Sequence, residues 1–339
     1  MNWLRTLVVV SLAISGYLFG ILEARAGTTC TADMSNLAFG NASTTTASIT
    51  YKCETDTFPS AADTAVLQMC FAIGEGRSPG STVAQRSMND GVDKLYFNVS
   101  KDPGAPSNDW GNTPGTYKRV AIEVPLSASG FLGLRRTGSA TGNVTVYGRI
   151  PSRLGAAAGT YTNEFQAGDT TLMYRYNDTL FGSGDPVDCQ SGGAPGVPDA
   201  FPFKATAAVL GSCSVVTASN MNFTPGGMPL SGTSTGNLAS SSTIGLTCTN
   251  RTAWQVGLDE GLYPSAGVRR MCNTDGACLS YQLTQPDGAT PWGDDLDVNT
   301  VVGISEGSRQ SLTVHGRVND QPLTQAGRYS DTVKVILTY

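Results

Sequence analysis

The chain is short of the residues that most catalytic and nucleic-acid-binding proteins depend on. It has one histidine in 339 residues, and only 14% of its residues are charged, against ~25% in an ordinary globular protein. A single imidazole removes the common basis of Ser-His-Asp, Cys-His and zinc-imidazole sites. Lys and Arg number 22 against 27 Asp and Glu, a net charge of −5, so the basic footprint of a nucleic-acid binder is missing. No Cys-x-x-Cys pair occurs, which excludes zinc ribbons and thioredoxin-like motifs. Glycine pairs such as Gly226-Gly227 are not followed by Lys-Ser/Thr and are not phosphate loops. Beyond residue 22 no apolar run is long enough to span a bilayer. No stretch of ten residues carries a helical apolar stripe, so bundles and coiled coils are excluded too. No nucleophile stands beside a general base in the pattern, and the chain reads as a non-enzyme without cofactor or metal.

What is abundant is glycine, 40 residues, with eight cysteines and 40% apolar content. At roughly 150 residues per domain the length suggests two domains. Residues 1–26 read as a removed signal peptide: Arg5, an apolar run from Leu7 to Leu22, then Ala24-Arg25-Ala26 as cleavage site. The mature chain would begin at Gly27. Export to an oxidising compartment makes the cysteines disulfide partners. They fall as Cys30, Cys53, Cys70 and Cys189, then Cys213, Cys248, Cys272 and Cys278. Each set of four allows three connectivities. Cys30–Cys53 and Cys213–Cys248 are the natural first pairs, in the same position of each half. Cys272–Cys278 would then close a local loop and Cys70–Cys189 would remain, with the connectivity of the first set left open.

The strongest signal is an internal repeat. Val144-Thr-Val-Tyr-Gly148-Arg149-Ile150 and Gly159-Thr160-Tyr161 recur at one constant offset as Leu312-Thr-Val-His-Gly316-Arg317-Val318 and Gly327-Arg328-Tyr329. Asn36-Leu-Ala-Phe39 follows Cys30 as Asn220-Met-Asn-Phe223 follows Cys213; Trp110-Gly111 pairs with Trp292-Gly293, and Asp169-Thr170 with Asp331-Thr332. The apolar period within each copy is two, as in Val333, Val335 and Leu337 or Phe201, Phe203, Ala205, Ala207 and Val209, and turn clusters such as Asp102-Pro-Gly104 and Thr224-Pro-Gly-Gly227 punctuate the runs. The expectation is all-β: a sandwich domain over 27–210 and a second over 211–339.

The Cys-opened strand with Asn220-Met-Asn-Phe223, the Trp292-Gly293 turn, the His315-Gly-Arg317 strand and the closing block Gly327 to Tyr339 resemble the spore coat protein U domain family, which includes subunits of archaic chaperone–usher pili. The resemblance covers 213–339 and, more loosely, 30–177; the two-domain layout is similar to that of a pilus tip subunit. It implies an immunoglobulin-like pilin fold whose C-terminal domain lacks its last strand and is completed by a neighbour. The implied partners are a periplasmic pilus chaperone, an outer-membrane usher and the next pilin subunit, and the implied location is the cell surface after export through the periplasm. Val333, Val335, Leu337 and Tyr339 form the expected strand-accepting element. The segment 201–209 is expected to complete the first domain in cis, and only three residues of the mature chain precede Cys30, too few to donate a strand.

A tip position directs attention to loops of the first domain, at 127–142 and 178–200, expected at its far pole. Phe131, Leu132, Leu134, Leu180 and Phe181 could bind a hydrophobic abiotic or host surface; the alternative is that they turn inward and cap the sandwich. A carbohydrate-binding tip and a secreted coat or matrix protein are the other functional classes. Trp110 and Trp292, being repeated, read as structural, and His315 takes the place of Tyr147 on a repeated strand. Asp294, Asp295 and Asp297 read as a solvated turn rather than a calcium loop, and Arg135-Arg136 could meet an anionic surface.

Overall fold

The structure, a computed structural model, describes residues 27–105, 107–179 and 184–339. The leader expected over 1–26, and Leu180 and Phe181, lie outside the described residues. Those described contain strands, turns and two short 3-10 turns, with no α-helix among them. The all-β class is therefore the fold observed. Contacts divide the chain into two compact units, one running through Ser152 and resuming at Tyr161–Ala207, the other made of Arg153–Thr160 and Ala208–Tyr339.

The first unit contains β1 Gly27–Met34, β2 Leu37–Gly40, β3 Thr44–Thr57, β4 Thr64–Ile73, β5 Arg86–Asn89, β6 Lys94–Ser100, β7 Lys118–Pro125, β8 Ser127–Ser129, β9 Arg135–Arg149, β10 Gly159–Phe165, β11 Thr170–Asn177, β12 Ala194–Pro195 and β13 Phe203–Val209. A nine-stranded sheet runs β1-β3-β9-β6-β5-β10-β13-β2 with β8 beside β9, and a four-stranded sheet runs β12-β11-β4-β7. Strand β3 shows why this sequence makes sandwiches. Its Ala47, Ile49, Tyr51 and Cys53 are buried and alternate with residues left half-buried or exposed, the period of two that one wet face demands. Tyr51 meets Phe71 of β4 at 5.8 Å, joining the two sheets through the core.

The second unit contains β14 Cys213–Ala218, β15 Leu238–Cys248, β16 Ala253–Leu258, β17 Arg270–Cys272, β18 Cys278–Ser280, β19 Gln282–Thr284, β20 Val301–Ile304, β21 Gln310–Val318 and β22 Val335–Thr338. Its sheets are β14-β15-β21-β19 and β20-β16-β22, with a β17-β18 ribbon. Disulfides join Cys30–Cys53, Cys70–Cys189, Cys213–Cys248 and Cys272–Cys278. The first and third staple residues directly opposite each other on β1/β3 and on β14/β15.

The two units repeat the same internal fastenings. Trp110, fully buried, donates its indole N–H to the Phe71 carbonyl at 2.8 Å, and Trp292 does the same to Val256 at 2.8 Å. Arg86 donates to the carbonyls of Gly74 and Ile73 at 2.7 and 2.6 Å, and Arg269 to those of Asp259 and Leu258 at 2.7 and 2.5 Å. Arg86 also reaches Trp110 O at 2.8 Å and Asn108 Oδ1 at 3.0 Å. Burial pulls its guanidinium down to about 10, with Glu75 and Asp109 opposing the shift. The repeated glycine has a steric cause. A Cβ on Gly148 would sit 2.8 Å from Phe39 and 3.0 Å from Leu37, and one on Gly316 would meet Phe223 at 2.9 Å and, still closer, Met221.

Two expectations need correction. Asp331 is not the counterpart of Asp169. It accepts from the Leu262 N–H and the Tyr281 hydroxyl, bridging the loop after β16 as Asn163 bridges the loop after β4 through Ser78 N–H and Glu75 O. Asn163 to Asp331 is also the offset that carries Gly148 to Gly316; the Asp-Thr dipeptide matches by composition, not by place. The second correction concerns 127–142, which is not one loop. β9 begins at Arg135 and pairs β3 without a break from Thr44↔Arg149 to Thr57↔Arg136, while β8 pairs its other side. Only 130–134 remain as a turn; Gly138 and Gly142 keep the ladder unbroken where a Cβ would collide with Pro125 O and with the Tyr51 side chain.

Candidate functional site

In the first unit the exposed side of β11 is covered by the chain itself. Gly196 N–H donates to Tyr174 O at 3.0 Å, and Leu172 and Asp199 exchange backbone hydrogen bonds of 2.7 and 3.1 Å. Phe201 N–H then reaches Thr170 Oγ1 at 3.2 Å. After Pro202 the chain becomes β13, which runs parallel to β2 with Ala205 opposite Leu37 and lies beside β10. Phe201, just before it, and the inward Phe203, Ala205 and Ala207 are all buried, and Phe203 stacks on Phe165 at 4.2 Å.

The second unit has the same frame without this filling. Leu258 pairs Val335 as Ile73 pairs Thr170, and each takes a backbone bond from the Trp-Gly turn, Leu258 N–H to Gly293 O and Ile73 N–H to Gly111 O. Leu337 and Tyr339 thus stand where Leu172 and Tyr174 stand. Leu172 is 0% and Tyr174 2% exposed, whereas Tyr339 is 62% exposed and Val333, Val335 and Leu337 are only half-buried, though packed on the core. Among the described residues β22 pairs with β16 alone. The residues matching β2, Asn220-Met-Asn-Phe223, form no strand, and neither does 327–333, the counterpart of β10. Between them lies a groove of about 440 Å³ lined by Met221, Phe223, Leu230, Leu258, Val333 and Val335 among others. At its polar end Tyr281 donates to Asp331 at 2.5 Å; burial first, then the Asp331 hydrogen bond and charge, push the phenol well above its usual range.

The loop residues fare differently. Phe131, Leu132 and Gly133 form a short 3-10 turn at the tip of the β8–β9 hairpin. Leu132 has φ 65° and is 76% exposed; Leu134 is 39% exposed. A left-handed, solvent-facing leucine is conformationally disfavoured and marks a turn held by its surroundings. Directly after the turn Arg135 pairs with Asp56 at 2.5 Å and Arg136 with Asp63 at 3.2 Å, so both cations are matched within the fold. Sequence reasoning missed the means by which the 185–193 loop is held. Besides the Cys70–Cys189 disulfide, Arg175 donates to the carbonyls of Gly192, Gln190 and Gly193. Asp295 and Asp297 bond within their own turn and to Gln255, and no cluster of metal-ligating side chains occurs among the described residues.

The spore coat protein U domain model matches residues 18–168 and 199–336. The chain belongs to the spore coat protein U domain family. Both copies of the repeat fall within the match, one in each half. No curated protein matches the chain by sequence. Among solved structures, the chaperone–tip adhesion subunit pre-assembly complex CsuC–CsuE of Acinetobacter baumannii aligns at 16% identity, with 92% of this chain and 100% of that chain covered and a TM-score of 0.44. The CupB6 tip adhesin of Pseudomonas aeruginosa aligns at 12% identity over 93% of this chain and 95% of that chain, TM-score 0.32. The two family domains thus share a frame and differ at the groove, which is filled in the first and open in the second.

Proposed function

We propose that this chain is the tip subunit of a chaperone–usher pilus, exported through the periplasm to the cell surface, and that its second unit is a strand acceptor. The observation that carries the reading is the contrast within one molecule: the segment 194–209 occupies, in the first unit, the place that the second unit leaves open. A donor segment from a periplasmic chaperone, and after passage through the outer-membrane usher from the next pilin subunit, would bond to the free edge of β22 and send alternate side chains into the groove beside Val333, Val335 and Leu337. The first unit, complete in itself, would be the adhesive part. Leu132 and Leu134 are the surface-binding residues of this reading, with Phe131 their neighbour in sequence, acting by burial of apolar area on a hydrophobic abiotic or host surface and supporting attachment and biofilm formation.

The test is thermal unfolding of the mature full chain with and without a donor strand of alternating apolar residues fused after Tyr339. Three buried apolar side chains at ~1.5–3 kcal/mol each should raise the melting temperature of the second unit by more than about 10 °C. An unchanged transition, in a second unit already stable alone, would sink the acceptor reading. Attachment to polystyrene by cells bearing Phe131→Ser with Leu132→Ser tests the tip. The expected result is loss of attachment at unchanged surface display. Attachment blocked by soluble sugars but not by this variant would point to a carbohydrate site instead.

A further inference from the structure

At the start of β1 the inward face of the sandwich turns from apolar to hydroxylic. Thr28 is 4% exposed, Thr55 2%, Thr57 1% and Ser60 5%, and among them lies Asp178, 6% exposed. Thr28 and Thr55 face each other across β1 and β3 with their hydroxyls 2.8 Å apart. Thr28 donates weakly to Asp178 Oδ2 at 3.4 Å, and Ser60 donates to the Asp178 carbonyl at 3.0 Å. Among the described residues no lysine or arginine contacts this carboxylate. A buried carboxylate held by one hydroxyl, that of Thr28, and by its own backbone N–H is poorly compensated, because neutral dipoles do not replace the hydration of a full charge. Burial accordingly raises its pKa.

The residue beside this site is Gly27, the first of β1 and the residue at which the mature chain would begin. The Tyr176 hydroxyl lies 3.2 Å from where a Cβ on Gly27 would be, and Tyr176 itself feels the Asp178 charge. Tyr174 donates to Thr28 O at 3.0 Å and fixes the strand there. The other carboxylate at this strand end, Asp56 opposite Gly27, is already paired with Arg135.

We propose that Asp178 is a receptor site for the chain's own processed amino terminus. Hydrolysis of the Ala26–Gly27 bond adds water across the amide, leaving a carboxylate on Ala26 and an ammonium on Gly27. That ammonium supplies the cation that the hydroxyl-lined pocket lacks and ties the start of β1 to the end of β11, the strand from which the 179–193 segment departs. Leader removal then completes the first unit as well as releasing the chain. The uncleaved chain, with a neutral amide at this point, leaves Asp178 uncompensated.

The inference rests on cleavage after Ala26, which intact-mass measurement of the exported chain checks first; a mature chain beginning elsewhere overturns it. The main test is NMR titration of the α-amine after 13C reductive methylation of the exported full chain. An amine paired with a buried carboxylate titrates at least one pH unit above its ordinary ~8, a tenfold shift in proton affinity. Asp178→Asn should return it to the ordinary value while Asp56→Asn leaves it raised. An ordinary value in the unmodified chain, or a raised value that persists in Asp178→Asn and falls in Asp56→Asn, overturns the proposal. The titration of the unmodified chain decides even if Asp178→Asn fails to fold.

Discussion

Phe201 and Phe203 fill the first unit's groove from within the same chain, and Leu172 and Tyr174 beneath them are sealed from water. In the second unit Leu337 and Tyr339 occupy the matching places, half-buried and exposed respectively. The frame around both is shared down to the tryptophan and arginine that clamp the strand before the groove. At the groove the difference lies in one segment of chain, 194–209, which has no counterpart beside β22 among the described residues. A sandwich with its cystine, tryptophan and arginine fastenings can hold its shape while one edge stays unpaired. That edge leaves β22 with one strand neighbour, β16, and its inward apolar side chains half-buried, the kind of edge that invites pairing.

The contrast can be broken most directly by emptying the first groove. Phe201→Ala with Phe203→Ala should destabilise the first unit by about 6–10 kcal/mol, at ~3–5 kcal/mol for each buried phenylalanine. Leu337→Ala in the second unit should cost far less until a donor strand is fused, after which its cost should rise. Chemical denaturation of each variant, followed by near-UV CD, reads both effects.

The disulfides sharpen the comparison next. Cys70–Cys189 closes a separation of 119 residues and Cys272–Cys278 one of 6. Loop entropy then assigns about 5 kcal/mol to the first and about 2 kcal/mol to the second. Replacing each pair by alanine and comparing denaturation midpoints tests that order; equal losses would mean that Cys70–Cys189 acts on the loop alone.

The arginine clamps come third. Arg86→Met leaves four acceptors without their donor in a site where the side chain is 0% exposed, a loss of about 3–4 kcal/mol. Arg269→Met, in a less buried site with two such bonds, should cost about half as much. Equal midpoint shifts for the two variants would show that the clamps are not graded by burial.

The smallest effect is electrostatic and exists only where β13 is present. Lys204 pairs with Glu164 at 2.8 Å and holds its carboxyl below the usual range through the hydrogen bond and the charge. A depressed carboxyl pKa stabilises above the unfolded value, and that contribution is lost as pH falls through the folded one. Melting temperatures of the parent and Lys204→Met should thus converge on acidification below about pH 4. A constant difference would assign the lysine to packing.

Much of this was legible in the linear pattern. The repeated Tyr/His-Gly-Arg block marked matching strands because Gly148 and Gly316 both lie beneath side chains of the segment after the first cysteine. The even sets of cysteines and the period of two announced stapled sandwiches. Arg86 and Arg269 were not visible, since loops of different length put them at another offset from the one that relates the glycines. The same drift made Asp169 look like the partner of Asp331, when the hydrogen bonds give that role to Asn163. Leu132 could be named as an apolar loop residue, but its left-handed backbone and exposure depend on the β8–β9 pairing that narrows the turn around it.

Composition, periodicity and self-similarity by themselves determined an all-β chain of two related halves stapled by cystines, because these properties are local or repeat along the chain. Which groove is filled, which carboxylate is buried without a cation and which leucine faces solvent were decided only in three dimensions. Each depends on segments far apart in sequence, 37–40 with 203–209, Thr28 with Asp178 and Asp56 with Arg135, whose meeting is set by sheet order and register rather than by any one stretch of residues.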